Sequence, residues 1–146
     1  MFGKLFGRKA SNVKDAVAKF ENRDMLEATV GGAILVAYAD GSLDASELKT
    51  LESILNANEK LAHFGSEIGT TIDRFNSLML AGATLGRVKV MAEIRDCKNN
   101  EEEKVEIFAT LIDIAQADGE IEEAELVILR LIGRELGISL GMFGLE

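Results

Sequence analysis

Not one proline interrupts the 146 residues of this chain. Because proline ends or kinks helices and is common in turns, its absence favours long helices over a fold of many short strands. Only 5% of the residues are aromatic, and alanine, leucine, glutamate and lysine, which favour helices, are abundant. The sequence therefore predicts an all-α fold, and the length suits one compact domain.

Apolar side chains recur at helical spacing along most of the chain. Leu26, Val30 and Ile34 lie on one such stripe, and Phe108 and Ile112 lie on another. This periodicity predicts about seven helices, near residues 11–22, 25–39, 44–57, 67–81, 84–97, 101–117 and 122–136. We expect a basic, flexible N-terminal segment over residues 1–10 and a single helical domain over residues 11–146.

Glycines add two expectations about these helices. Gly31 and Gly32 fall in the middle of the second predicted helix, where each costs about 1 kcal/mol relative to alanine. We therefore expect another helix to approach closely at that point. Gly137 is followed by an apolar residue and is predicted to end the last long helix as a C′ glycine.

One short pattern occurs twice, 78 residues apart, and residues 37–51 and 115–129 are identical at seven of fifteen positions. Each copy reads as the end of an apolar helix, an Asp-Gly turn and the start of a second helix whose first turn carries acids. Two copies at this spacing are not a solenoid repeat. They predict two helical hairpins that pack as pseudo-equivalent halves.

Carboxylates gather at each of these two corners. The first corner carries Asp40, Asp44 and Glu47, and the second carries Asp118, Glu122 and Glu125, with Glu123 as a further donor. The spacing from Asp-Gly to the last glutamate resembles the second half of an EF-hand loop. However, the first ligand position of that loop would fall on Val36 or Ile114, so an EF-hand is excluded.

Two explanations of the corners stay open at this stage. Asp44 and Glu47 fit a capping box, and acids in a first turn suit the helix dipole. Alternatively, clustered carboxylate oxygens bind a divalent cation, with Ca²⁺, Mg²⁺ or Mn²⁺ preferred over zinc. Under this second hypothesis, we expect the two corners to lie close together and form one acidic surface.

Three segments together resemble the TerB-like family of tellurite-resistance proteins. They are residues 37–47 with their Asp-Gly turn, residues 116–125 with theirs, and residues 133–138 followed by Phe143. The resemblance extends over essentially the whole chain. The second segment is the closer match, since the first has Ala45 and Ser46 where relatives often carry acids.

This resemblance implies an all-helical domain with duplicated halves, in which acidic residues of both motifs chelate a divalent cation. It also implies a role in resistance to tellurite and other stresses, together with other tellurite-resistance proteins that include a membrane protein. No catalytic activity comes with the resemblance. The sequence agrees, because it contains neither a phosphate-binding loop nor a nucleophile elbow, and we expect a protein that is not an enzyme.

Charge is distributed unevenly along the chain. The formal net charge is −9, although residues 1–25 hold six basic and only three acidic side chains. The strongly acidic body is expected to repel nucleic acid. The basic opening of the chain mixes apolar and cationic side chains, as peripheral membrane segments do, although a frayed terminus would look the same.

The chain contains one histidine, His63, and one cysteine, Cys97. His63 has no second histidine or cysteine nearby in sequence, and we expect it to be structural. Cys97 cannot form an intramolecular disulfide, and we expect packing rather than redox chemistry. Together with the lack of a recognisable signal sequence, the single cysteine predicts a cytoplasmic protein, which would reach the inner face of the membrane through its N-terminal segment.

Two hypotheses of function therefore remain. In the first, the corners hold a divalent cation and couple it to partner binding. In the second, the chain is a metal-independent adaptor that docks to a protein partner or a membrane surface. A metal site requires carboxylates that converge on one point, whereas capping turns each carboxylate back onto its own helix.

Overall fold

The computed structural model describes residues 23–41, 43–117 and 119–145. These ranges contain six α-helices and no strand, which confirms the predicted all-α class. The helices are α1 over residues 23–37, α2 (Ala45–Ala57), α3 (Ser66–Ala81), α4 (Ala83–Arg95), α5 (Glu101–Gln116) and α6 (Glu123–Leu136). The helix predicted at 11–22 and the segment 1–10 lie outside the described residues.

Three short 3₁₀ turns accompany the helices, at Tyr38–Asp40, Ala62–Phe64 and Leu140–Phe143. The predicted ends of α2 to α6 agree with the observed ones to within two residues, and α1 also ends two residues before its predicted end. The sequence predicted an α-helix to residue 39, but the chain tightens into the Tyr38–Asp40 turn. The N–H of Gly41 bonds to the carbonyl of Tyr38 at 2.9 Å, which is the shorter 3₁₀ spacing.

Helix α1 lies at the centre of the core. Every residue from 28 to 36 is buried, so the helix is enclosed on all sides and not only along the predicted stripe. A helix that is apolar all round is stable only in such a position. The helices around it are held together by further contacts: α4 packs on α3 and on α6, and α6 packs on α5.

The paired glycines explain how α1 fits between its neighbours. A Cβ atom on Gly31 would lie 2.8 Å from Cγ1 of Val90 on α4, and one on Gly32 would lie 2.6 Å from Cδ1 of Leu111 on α5. Both distances are too short for carbon atoms. The predicted close approach at this glycine pair is therefore confirmed, with α4 on one side and α5 on the other.

The C-terminal end of α6 also follows the sequence prediction. Gly137 has a φ of 70°, and the N–H of Ile138 bonds to the carbonyl of Gly133 at 2.9 Å. This is the bonding pattern of a Schellman motif. Arg130 on α6 then donates from Nε to the carbonyl of Leu145 at 3.1 Å, which fixes the last described turn against the helix.

A membrane-spanning helix is not present among the described residues, because none of their helices is both long and apolar enough to cross a bilayer.

Candidate functional site

Both Asp-Gly corners turn the chain in the same way at their glycine. Gly41 has a φ of 106° and Gly119 a φ of 122°, values that an L side chain rarely adopts. Each glycine N–H bonds to the carbonyl three residues earlier, that of Tyr38 at 2.9 Å or that of Gln116 at 3.0 Å. The glycine is therefore required by the backbone at both corners. The broader idea of two pseudo-equivalent halves stays a prediction.

The two corners open onto one cleft of about 150 Å³, which we call the acidic cleft. Five carboxylates from the two corners line it, namely those of Asp40, Glu47, Glu120, Glu122 and Glu125. Its floor is apolar and comes from α1, α2 and α5, with Val36, Leu51 and Ile114 among the lining residues. The chain thus brings together two acidic segments that are 78 residues apart, as the sequence led us to expect.

At the first corner, Asp44 is the N-cap of α2. Its Oδ1 accepts a hydrogen bond from the N–H of Glu47 at 2.8 Å, which is the cap half of the predicted capping box. The N–H of Asp44 in turn favours the charged form of the Glu47 carboxyl. Asp44 is turned onto its own helix in this way and does not line the acidic cleft.

Electrostatic crowding is visible at Glu47. Partial loss of hydration raises the pKa of this carboxyl, and the negative charges of Asp44 and Asp40 raise it further. A hydrogen bond between the carboxyl groups of Asp44 and Glu47 acts in the same direction, and the hydrogen bond from the Asp44 N–H opposes it. Loss of hydration and the neighbouring negative charges therefore outweigh the hydrogen bond that stabilises the charged form of Glu47.

The second corner is organised around Glu122, the N-cap of α6. The N–H of Glu122 donates to Oε1 of Glu125 at 2.9 Å. Glu123 lies outside the cleft: its side chain is 83% exposed, and its Oε1 is 3.9 Å from Nη1 of Arg130. Asp118, which the sequence placed at this site, lies outside the described residues.

Sequence reasoning missed Glu120 as a member of the site. Glu120 lines the acidic cleft, but it aligns with Ser42 of the first copy, so a comparison of the two copies gave no reason to select it. Its position directly after the glycine of an acidic turn was the available signal. Thr50, one helical turn after Glu47, also lines the cleft.

The described carboxylates do not form a finished metal site. Among residues 23–41, 43–117 and 119–145, no three Asp, Glu, His or Cys side chains are close enough together to hold an ion as they stand. Capping accounts for Asp44 and Glu47 at the first corner and for Glu122 and Glu125, which form a full capping box, at the second. The shared cleft nevertheless brings both corners to one place. The arrangement can concentrate cations, and side chains would have to rotate to coordinate one.

Neither His63 nor Cys97 lines the acidic cleft. His63 is half-buried, with its ring centroid 4.3 Å from that of Phe64. Cys97 is buried, and burial followed by the charges of nearby carboxylates, with Glu103 the first of them, raises the pKa of its thiol to about 12. A thiol held in its protonated form is a poor nucleophile.

The fold and the cleft define a small all-helical protein in which two acidic turns, carried on separate helix pairs, line a shared depression. The family model described as Tellurite resistance protein TerB matches residues 26–144. The chain belongs to this TerB family. No curated protein and no solved structure matches the chain.

Proposed function

We propose that this chain is a non-enzymatic, cytoplasmic stress-response protein of the tellurite-resistance system that binds a divalent cation in the acidic cleft. The observation that carries the proposal is the meeting of two sequence-distant acidic corners in one depression. The cation is Ca²⁺, Mg²⁺ or Mn²⁺, because the cleft offers carboxylate oxygens and neither thiolate nor imidazole.

The electrostatics of the first corner support a cation. Partial loss of hydration raises the pKa of Glu47 most, and repulsion from Asp44 and Asp40 raises it further; a bound cation would relieve this repulsion. The ligands we propose are the carboxylates that line the cleft, together with Asp118. In this proposal Asp44 serves as the helix cap, and Glu123 stays at the outer surface.

Isothermal titration of the metal-stripped protein with each of the three cations tests this proposal. Physiological ionic strength suppresses loose counterion association. We expect saturable binding that is lost in the double variant Glu120→Gln with Glu122→Gln. The variant Glu47→Gln is informative as well, because its amide oxygen can still accept the capping hydrogen bond from Asp44 while the charge is removed.

The matched control is the double variant Glu59→Gln with Asp73→Asn, which makes the same change in net charge at two exposed positions outside the cleft. Binding should be unchanged in this control. Equal losses of affinity in the control and in the cleft variant would mean diffuse attraction to an acidic surface. A flat titration of the unaltered protein would refute the cation site outright.

The metal-independent adaptor is the second candidate, and the capping hydrogen bonds of Glu47 and Glu125 favour it. In this case the acidic surface docks directly to other tellurite-resistance proteins, among them a membrane protein. The basic N-terminal segment would contact anionic lipid. Sedimentation with anionic liposomes, comparing the full chain with one lacking residues 1–9, tests the lipid contact: equal sedimentation would exclude a role for that segment.

A further inference from the structure

A second depression of about 520 Å³ lies between α4 and α6, and we call it the apolar groove. Leu35, Met79, Val127 and Ile128 are among its apolar lining residues, and Arg87 also lines it. The hydroxyl of Tyr38, which also lines the groove, already bonds to the side chain of Asn76. The groove is therefore mainly apolar, with a single cation. Its volume falls in the range of known binding pockets, about 300–1,000 Å³.

Exposed apolar side chains lie in and beside the groove. Val127 lines it and is 48% exposed, and Leu80, next in sequence to the lining residue Met79, is 72% exposed at the end of α3. Leu85, although 60% exposed, lies on the other side of α4, where it lines a separate depression with Lys89. A small ligand held in the groove would leave Leu80 in water. A partner helix laid along the groove could cover both the groove and Leu80.

The charge of the groove indicates what its occupant carries. Arg87 is exposed and forms no ion pair with any residue that the structure describes, although the chain as a whole carries a net charge of −9. The N-terminal residues 1–25 of this same chain are rich in basic side chains, so they do not complement Arg87. A carboxylate does.

We propose that the apolar groove binds an amphipathic helix of a partner protein, with large apolar side chains at helical spacing and a carboxylate placed against Arg87. Helix-in-groove recognition uses anchors at positions i, i+3 or i+4, and i+7. The paired charge sets the direction and specificity of docking more than its overall strength. This proposal does not depend on cation binding in the acidic cleft.

Selection from a phage-displayed library of random 16-residue peptides tests the proposal, with the full chain as bait and EDTA present throughout. Because EDTA removes divalent cations, failure of the cation site would not affect the result. We expect enriched peptides to combine an apolar stripe with an aspartate or glutamate. Amide NMR shifts caused by a synthesised winner should map to residues 83–88 and 124–128.

Charge reversal gives the decisive comparison. Arg87→Glu should weaken the winning peptide by about tenfold or more, and a peptide with lysine in place of its acid should restore binding to this variant. The matched control is Lys89→Glu, the same charge change on α4 at a residue that does not line the groove. It should change affinity by less than about threefold.

Four outcomes would overturn the proposal. They are a selection without enrichment, enriched peptides that lack carboxylates, equal effects of Arg87→Glu and Lys89→Glu, and NMR shifts centred on the acidic cleft. Two further results would assign the surface to another occupant. A dimer broken by Arg87→Glu in sedimentation would indicate a second copy of this chain, and vesicle binding lost in Leu80→Ser with Val127→Ser would indicate a lipid surface.

Discussion

A pair of glutamates that share a hydrogen bond joins α1 to α4, and it makes the stability of this protein depend on pH. Glu93 on α4 bonds to Glu27 on α1, and Arg74 on α3 lies 3.4 Å from Oε1 of Glu27. Burial is the main cause that raises the pKa of Glu93 to about 7. The hydrogen bond to Glu27, the negative charge of Glu27 and the negative charge of Asp96 raise it further, whereas the positive charge of Arg74 lowers it.

The sign of the effect follows from proton binding. Between the ordinary glutamate pKa of 4.5 and about 7, the folded protein keeps a proton that the unfolded chain has released. The free energy of unfolding must therefore fall as the pH rises through this window. A difference of one pKa unit corresponds to about 1.4 kcal/mol. Because solvent reaches part of the carboxyl, we expect about 1–2 kcal/mol in total, less than the full difference would give.

The variant Glu93→Gln removes the titration and can keep the hydrogen bond to Glu27. We expect it to be about 1–2 kcal/mol more stable than the unaltered protein at pH 8 and nearly equal to it at pH 5. Urea unfolding followed by circular dichroism from pH 4.5 to 8.5 measures this. The midpoint at pH 8 should rise by about 0.5–1 M.

The control is Glu59→Gln, which removes one negative charge at an exposed position. It should follow the pH dependence of the unaltered protein. If Glu93→Gln also did so, Glu93 would not hold a proton in the folded state near neutral pH, and the reasoning would be wrong.

Three further predictions concern single residues. Gly32→Ala should destabilise the protein by about 1–2 kcal/mol, because crowding against buried Leu111 outweighs the gain in helix propensity. Its control is Gly69→Ala, where the new methyl group meets only the mobile end of a glutamate side chain. This control should stabilise the protein by about 0.5–1 kcal/mol. Gly119→Ala should lower the free energy of unfolding by about 1–2 kcal/mol because of the positive φ at this position. Gly82→Ala should lower it little, because Gly82 has an extended backbone with open space around it. Thermal unfolding of the two variants measures the difference. Cys97 should react with a disulfide reagent about 100-fold more slowly in the native protein than in urea, and equal rates would contradict its burial.

The helices were predictable because local signals decide them. The spacing of apolar residues located α2 to α6, and Gly137 marked the end of α6 correctly. The burial of α1 on every side was not predictable from its apolar stripe, because burial depends on which helices surround it. Only the glycine pair, Gly31 and Gly32, indicated the close packing of neighbours.

The candidate site was predictable in its main components and not in its detail. The repeat selected Asp40, Glu47, Glu122 and Glu125, which line the acidic cleft. Whether an acid faces the cleft or its own helix depends on side-chain direction, which spacing alone does not specify. The apolar groove gave no signal at all, since its walls come from α1, α3, α4 and α6, and only the folded chain brings them together.

The central position of α1 has a consequence for how the protein is made. Because a chain is made from its N-terminal end, α1 leaves the ribosome before the helices that follow it, and Leu111, which closes over Gly32, is added 79 residues after that glycine. At about 5–20 residues per second this interval lasts about 4–16 s. During that time an apolar helix is exposed without its partners. A nascent chain that stops before α5 therefore offers chaperones and proteases the very surface that the finished protein hides most completely.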